Sequence, residues 1–177
     1  DTLLKCQDKV EAIKENKDVV NLFEQQTSDF ELDPIETHAE RYLKSDLKDK
    51  SFGLHGYIDF YKVDHEKFEV TICDLKTTGK SISDFKETVD FYNYWLQAAI
   101  YMKLVYDTLG ENAEKYTIVF KFVVIDTYKQ VYVFDITQET MSSWASGLEG
   151  VIKVAAYHYD KRNYQLPYDF LTRNIKL

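Results

Sequence analysis

The sequence predicts an α/β fold in which helices flank one β-sheet. Two observations carry this prediction: segments with the apolar spacing of amphipathic helices alternate with runs rich in β-branched and aromatic residues. In chain order the predicted elements are α, β, β, β, α, β, β, α. Because 177 residues, 45% of them hydrophobic, are enough to bury one sizeable core, we predict a single domain over residues 1–177.

The N-terminal half begins with a helical pattern and continues with strands. Residues 3–23 have apolar side chains at helical spacing, interrupted near residues 16–18, which indicates one helix or two. The polar residues 25–34 are predicted to form a loop. The strands of this half are predicted at residues 35–43, 52–61 and 68–74, with a charged turn over 44–51.

A long helix is predicted at the start of the C-terminal half. Ser83 or Asp84 can cap it, and Gly110 fits its C-terminus after Leu109. The remaining predicted elements are a hairpin with strands at residues 116–127 and 130–136, and a closing helix over 138–159 that Thr137 can cap.

Three short motifs follow one another between Gly56 and Tyr101. They read G-Y-I-D at residues 56–59, D-L-K at 74–76 and Q-x-x-x-Y at 97–101. Asp59 and Asp74 are predicted near the ends of neighbouring strands, where paired strands would bring both carboxylates within reach of one divalent cation. Hard oxygen ligands of this kind suit Mg²⁺ or Mn²⁺.

The D-L-K motif also predicts which side chains share a face of the sheet. Side chains two residues apart on a strand project to the same side, so Asp74 and Lys76 are expected on one face. Leu75 is expected in the packing layer of the other. Taken singly, each motif also describes an ordinary ion pair, turn or helix-surface pair, and the prediction of a site rests on their combination and order.

These motifs resemble those of the PD-(D/E)xK nuclease superfamily, and within it the RecB-like and phage-type recombination exonucleases (RecE-like and lambda-exonuclease-like). The resemblance implies a restriction-endonuclease-like core, with a central mixed β-sheet flanked by helices. It implies that Asp59, Asp74 and the main-chain carbonyl of Leu75 bind Mg²⁺ or Mn²⁺ and that Lys76 orients or activates the attacking water. Gln97 and Tyr101 would support the substrate or the catalytic groups. The second acid is Asp rather than the commoner Glu, and Ile58 stands in place of the family's Pro.

The same resemblance implies a metal-dependent DNA exonuclease that hydrolyses phosphodiester bonds at duplex ends in recombination or repair, leaving a 5′-phosphate. The partners it implies are linear duplex DNA, further copies of the chain in a ring, and a single-strand annealing protein or recombinase. Two alternatives stay open. One is a non-catalytic nucleic-acid-binding or assembly module with the same fold, and the other is a RecB-like endonuclease domain, which would cut a closed circle.

A third metal ligand is the part of the family pattern that this sequence lacks. Relatives carry a His or Glu on a helix near the start of the domain, and the chain begins at Asp1 without a Met. The expectation is an N-terminally truncated domain whose first helix or helices lie upstream. His38 is the internal substitute to consider, although a packing or solvent-facing role is favoured for it. Glu40 is a slightly better acidic candidate than Glu36, and His55 is expected at the rim.

Composition restricts the classes of function. A net charge of −8 argues against a general nucleic-acid binder, so a local positive channel is expected near the motifs. The apolar run at 118–125 is too short to span a bilayer and contains Lys121, which predicts a cytoplasmic protein with no membrane contact. Cys6 and Cys73 lie far apart, so each is expected to be a buried free thiol. The lysines expected to form the channel are Lys62, Lys76, Lys80 and Lys86.

Aromatic residues are frequent, with fourteen Tyr and eleven Phe. Most are expected in the core or on the sheet. Phe91, Tyr92, Tyr94 and Trp95 crowd together just before Gln97 and span more than one face of their helix. At least one of them is therefore expected to be exposed near the active cleft, where it could stack on a DNA end.

Overall fold

One five-stranded mixed sheet organises the chain. The computed structural model describes residues 2–23, 34–48 and 50–175. The strands lie side by side in sequence order and are β1 (Ile35–Asp46), β2 (Gly53–Asp64), β3 (Glu69–Thr77), β4 (Thr117–Ile125) and β5 (Val131–Asp135). The helices are α1 (Thr2–Glu15), α2 (Lys17–Phe23), α3 (Phe85–Phe91), α4 (Tyr94–Leu109), α5 (Gln138–Lys161) and α6 (Tyr168–Leu171), and short 3₁₀ turns occupy Ile82–Asp84 and Gly110–Lys115.

All neighbouring strands are antiparallel except β3 and β4, which are parallel. A parallel pair needs a crossover connection, and α3 and α4 supply it. The predicted α/β architecture, a restriction-endonuclease-like core with a central mixed sheet and flanking helices, is therefore confirmed. β3, which carries the D-L-K motif, is the middle strand.

The main core lies between the sheet and helices α4 and α5. Its largest fully buried side chains include Phe85, Phe120 and Phe122, and Trp144 of α5 reaches the ring of Phe122. On the other face, α2 contacts the sheet through Phe23, whose ring lies 4.5 Å from that of Phe60. Both faces of the middle strands are thus covered over most of their length, as the apolar sequence of β3 and β4 requires.

The interruption predicted in the first helix is a helix cap. Asn16 separates α1 from α2, and its Oδ1 accepts hydrogen bonds from the N–H groups of Asp18 and Val19. Its Nδ2 donates to the carbonyl of Val131 on β5. One side chain therefore starts α2 and ties it to the edge of the sheet.

The prediction of one continuous helix from residue 83 or 84 to Leu109 is wrong. It is divided at Asn93, which has a left-handed backbone (φ 55°, ψ 36°). Asn tolerates this conformation better than most residues, and its Oδ1 accepts a hydrogen bond from Nε1 of Trp95. The short helix α3 therefore meets α4 at a bend.

Other boundaries differ from the sequence-based expectations by a few residues. β2 continues past Asp59, and β3 continues past Asp74 to Thr77, so the D-L-K motif lies within its strand. Thr137 caps α5 as predicted, its hydroxyl accepting from the N–H of Thr140, and α6 was not predicted. The predicted loop at 25–34 falls almost entirely outside the described residues.

The two cysteines lie in different environments. Cys73 is buried and free as predicted, but Cys6 is exposed on α1, so its expected burial is wrong. Burial raises the pKa of the Cys73 thiol to about 12. Within the described ranges, no helix is long and apolar enough to cross a membrane.

Candidate active site

The candidate site lies where β2 and β3 separate. Their antiparallel pairing runs from Asp64 opposite Glu69 to Phe60 opposite Cys73. Beyond that pair, β3 continues alongside β4 and β2 continues alongside β1. Asp59 and Asp74 are the first residues past this fork, so the sheet itself opens a gap between the two acids.

The backbone is irregular at the same point. The pairing of β1 with β2 is regular on both sides of Glu40 and Asp59, which are themselves unpaired, and Glu40 has a left-handed φ of 48°. Ile58 and Tyr61 both enter the main core, although strict alternation would put them on opposite faces. A distortion of this kind re-aims a side chain. The Asp59 carboxylate accepts a hydrogen bond of 2.8 Å from the N–H of Leu75 across the fork.

Asp74 is buried, with 1% of its surface exposed. The Lys76 Nζ lies 2.5 Å from its Oδ2 as an ion-pair partner. Even so, neither oxygen accepts a hydrogen bond of regular geometry from the described part of the chain. Burial raises the pKa of Asp74 to about 6; the charge of Lys76 opposes this rise and that of Asp59 adds to it. A carboxylate in this state is suited to bind a cation.

Lys76 is held by a chain of hydrogen bonds from α4. Its Nζ donates to Oε1 of Gln97 at 2.7 Å, and Nε2 of Gln97 donates to the Tyr101 hydroxyl at 2.8 Å. Gln97 and Tyr101 are one helical turn apart, so both point down to the sheet. The structure thus brings together Asp59, Asp74, Lys76, Gln97 and Tyr101, as predicted from the three motifs.

Gly56, the glycine of the G-x-x-D motif, lies on β2 next to α4. A Cβ atom at this position would lie 3.4 Å from Cε1 of Tyr101 and 3.5 Å from Cδ1 of Leu104, which are ordinary van der Waals distances. Tyr101 is itself buried. The packing of α4 on β2 therefore leaves room for a small side chain at this position.

Tyr94 is a site residue that the sequence analysis placed only within an aromatic cluster. Its ring lies beneath the Lys76 ammonium, 4.6 Å from Nζ to the ring centroid, in the geometry of a cation–π contact. The signal available in the sequence was its spacing, since Tyr94 precedes Gln97 by three residues and shares its helix face. Lys76 is therefore surrounded by a carboxylate, an amide oxygen and an aromatic face.

The comparisons with known proteins agree with this geometry. A family model described as the PD-(D/E)XK nuclease superfamily matches residues 8–165, a range that contains all five predicted site residues. The chain belongs to the PD-(D/E)XK nuclease superfamily. No curated protein matches the sequence.

A solved structure has a fold similar to that of this chain. It is the crystal structure of a protein named "Putative exonuclease" from Eubacterium rectale, with a TM-score of 0.59 and 11% sequence identity. The match covers 98% of this chain and 60% of the other, so this chain spans about three fifths of that protein's length. At this identity the likeness concerns the fold.

Leu75, the middle residue of the superfamily's D-L-K motif, does not enter a packing layer. Its exposed fraction is 45%, so the expectation of burial is wrong. Cys73, two residues earlier on the same face, is buried. The packed layer on that face ends between these two positions, which leaves the chain around the Leu75 carbonyl open at the fork.

The alternative ligands occupy other environments. His38 stacks on Tyr61 with ring centroids 4.5 Å apart and lies 3.5 Å from Glu36, which fits the packing role that was favoured for it. Glu36 also lies 3.0 Å from His65, whose hydrogen bond lowers the pKa of Glu36. Glu40 is exposed at the irregular position opposite Asp59, and its charge adds to the raised pKa of Tyr101, which is due mainly to burial.

The expected positive channel is only partly supported. Lys62 is directed to the other face of the sheet, where its Nζ lies 3.5 Å from the carbonyl oxygen of Leu22 on α2, so its assignment to the channel is wrong. Lys80 and Lys86 are exposed. His55 is exposed on β2 with its ring 5.9 Å from that of Tyr42.

PD-(D/E)XK nucleases generally use divalent metal ions, and the residues at the fork fit one. Asp74 offers two buried oxygens without hydrogen bonds, and Asp59 approaches from the neighbouring strand. Oxygen donors of this type are the ligands of Mg²⁺ and Mn²⁺. Over the described ranges, no three His, Cys, Asp or Glu side chains gather into one metal-binding group. Asp59 and Asp74 are therefore the candidate side-chain ligands at the fork in the described part of the chain.

Proposed function

We propose that this chain is a deoxyribonuclease that hydrolyses phosphodiester bonds with the help of Mg²⁺ or Mn²⁺. The observation that carries the proposal is the buried Asp74, unpartnered except by Lys76, beside Asp59 at the fork of β2 and β3. Asp59, Asp74 and the main-chain carbonyl of Leu75 would hold the cation. When bound, the cation supplies an activated water and neutralises charge on the phosphoryl group.

Lys76 is the residue that acts on the attacking water. Its ammonium is held beside the fork by Oδ2 of Asp74 and Oε1 of Gln97. There it orients the water and stabilises the charge that develops on the phosphoryl oxygens. Gln97 positions Lys76, and Tyr101 positions Gln97 through its hydroxyl.

We further propose that the enzyme is an exonuclease acting on the ends of linear duplex DNA, in recombination or repair. The support is the order of the three motifs and the name of the Eubacterium rectale protein that shares the fold. The same resemblance supports a ring of identical chains, a single-strand annealing or recombinase partner and a cytoplasmic, bacterial or phage setting.

The test compares linear and covalently closed duplex DNA in the presence of Mn²⁺ or of a chelator. An exonuclease degrades only the linear form and only with metal. Lys76→Ala should reduce turnover by about a hundredfold or more, since it removes a donor aimed at developing charge, while metal affinity changes little. The matched control is Lys153→Ala on α5, which removes one exposed lysine away from the predicted channel and should retain turnover. Cutting of the closed circle would mean that the enzyme is an endonuclease and not an exonuclease.

A second function, a non-catalytic module with the nuclease fold, is favoured by one observation. The described residues provide only two acids at the fork and no third metal-binding side chain near them. This alternative predicts DNA binding without metal-dependent hydrolysis. It is supported if wild-type protein and Lys76→Ala are equally inactive on linear DNA.

A further inference from the structure

A row of aromatic rings leads from Lys76 to the protein surface. The Tyr94 ring lies beneath the Lys76 ammonium, and the Tyr92 ring stacks on it with centroids 5.6 Å apart and planes inclined by 23°. The Phe91 ring meets the Tyr92 ring edge-on, with centroids 4.9 Å apart. The outer end of the row is therefore connected to the proposed catalytic lysine by two ring–ring contacts and one cation–π contact.

The bend at Asn93 turns the outer rings away from the core. Its left-handed backbone ends α3 and restarts the helix as α4, and Trp95 holds the Asn93 side chain by a hydrogen bond. As a result Phe91 is 74% exposed and Tyr92 is 57% exposed. Single exposed aromatic residues are common on proteins, but two adjoining rings continuous with a catalytic group mark a binding surface.

The charges around this surface favour the base of a nucleotide over its phosphate. Asp84, Glu87 and Asp90 on and beside α3 outnumber Lys86, so a phosphate group would be repelled there. The face of a base is uncharged and stacks on Tyr or Phe whatever its sequence. The surface thus suits a base while the scissile phosphate lies at the fork.

We propose that Phe91 and Tyr92 form a stacking platform for an unpaired base of the DNA strand being cut, next to the scissile phosphate. This inference rests on the proposed function, because the phosphate is placed by Lys76 and the metal site. Tyr92 is the inner element, ordered by its stacking on Tyr94, and Phe91 closes the platform at its outer edge. The platform would hold the end of a strand apart from its complement during hydrolysis.

The experiment measures binding of a duplex with a short single-stranded end by fluorescence anisotropy. The full chain carries Asp74→Asn, so that the DNA stays intact. A series of probes replaces each nucleotide of the single-stranded end, one at a time, by an abasic site. Tyr92→Ala and Phe91→Ala are compared with Tyr92→Phe, which keeps the ring, and with Phe68→Ala. Phe68 is 47% exposed and precedes Asp74 by six residues, at the far end of β3, roughly 20 Å away.

The expected result is a loss of affinity of roughly tenfold for Tyr92→Ala and a smaller loss for Phe91→Ala. Tyr92→Phe and Phe68→Ala should bind as the unsubstituted background does. One abasic position should weaken binding to that background but have no further effect on Tyr92→Ala, because the base and the ring then belong to one interaction.

Equal affinity of Tyr92→Ala and Phe68→Ala for every probe would overturn the platform. Additive effects of Tyr92→Ala and every abasic site would also overturn it. A loss of self-association by Tyr92→Ala without a loss of DNA affinity would overturn it too, because the rings would then belong to a protein contact. Hydrolysis of linear DNA by the wild-type chain distinguishes a failure of the platform from a failure of the proposed nuclease function. If it cleaves and the platform test fails, only this inference falls, and if it neither cleaves nor binds DNA, both fall.

Discussion

At the scale of single residues, the burial of Asp74 lowers stability at a position that the proposed function requires. Burial disfavours its ionised form, although Lys76 lies 2.5 Å away. Burial thus raises the pKa of Asp74 from its ordinary value of 3.8 to about 6. The folded protein therefore holds a charge that would be more stable in water, at the proposed cation site.

Asp74→Asn should make the metal-free protein more stable at pH 8. Because the pKa of Asp74 is higher in the folded state than in the unfolded state, the folded state binds more protons between about pH 4 and 6. Stability is thus lost as the pH rises through this window and stays lower above it. We expect Asn to recover about 1 to 3 kcal/mol at pH 8 in EDTA and almost nothing at pH 4.

Urea unfolding at the two pH values measures this difference. Asp160→Asn, which removes an exposed carboxylate on α5, is the control and should change stability little at either pH. A loss of stability for Asp74→Asn at pH 8 would mean that its ion pair with Lys76 outweighs the burial of the charge.

At the scale of elements, the sequence predicts what depends on local pattern. Every strand and every long helix was expected near its observed place, because apolar periodicity and caps such as Thr137 are local signals. The bend at Asn93 was missed, since the apolar pattern continues across it. The exposure of Leu75 was missed because it depends on where the layer on the other face of the sheet ends, which is a tertiary property.

Two glycines on α5 allow the effect of side-chain packing on stability to be measured apart from the effect of helix propensity. A Cβ atom at Gly147 would lie 2.9 Å from Cζ3 of Trp95 on α4, whereas one at Gly150 would meet nothing within 4 Å. Gly150→Ala should stabilise the protein by about 0.5 to 1 kcal/mol, because alanine loses less entropy in a helix. At Gly147 the ring of Trp95 must move, so Gly147→Ala should be less stable than Gly150→Ala by about 1 kcal/mol or more.

Thermal unfolding of both variants tests this prediction, with Trp fluorescence reporting the environment of Trp95. Equal stabilisation by both substitutions would show that α4 and α5 can separate freely at Gly147, and the close packing of these helices over the sheet would have to be abandoned.

At the scale of the whole molecule, contacts link the N-terminal helices to the C-terminal hairpin. Asn16 hydrogen-bonds to the carbonyl of Val131, and Asp8 lies 2.7 Å from the Nζ of Lys129. Because these contacts join segments that lie 115 and 121 residues apart in the sequence, we predict one cooperative unfolding transition for the proposed single domain. Far-UV circular dichroism, which includes α1 and α2, should coincide with the fluorescence of Trp95 and Trp144, which lie on the other face. An earlier transition by circular dichroism alone would make α1 and α2 a separate unit.

The candidate site was predictable because its residues carry their spacing in the sequence. Asp74 and Lys76 are two apart on a strand, and Gln97 and Tyr101 are four apart on a helix, so each pair shares a face by geometry alone. The distortion opposite Glu40 and the ring beneath Lys76 were not predictable, since both depend on how separate elements meet. The net charge of −8 gave no indication of the site, because charge acts at the scale of the whole surface and the site is a few side chains.

Asp59 and Asp74 are proposed to hold a catalytic divalent cation together. Calorimetric titration of Mn²⁺ into the wild-type chain and into Asp59→Asn/Asp74→Asn, with cleavage of linear duplex DNA assayed on the same samples, tests this pairing. The wild-type chain should bind the ion and cleave, and the double variant should do neither while remaining folded. Equal Mn²⁺ binding by both proteins, or cleavage that survives in the double variant, would contradict it.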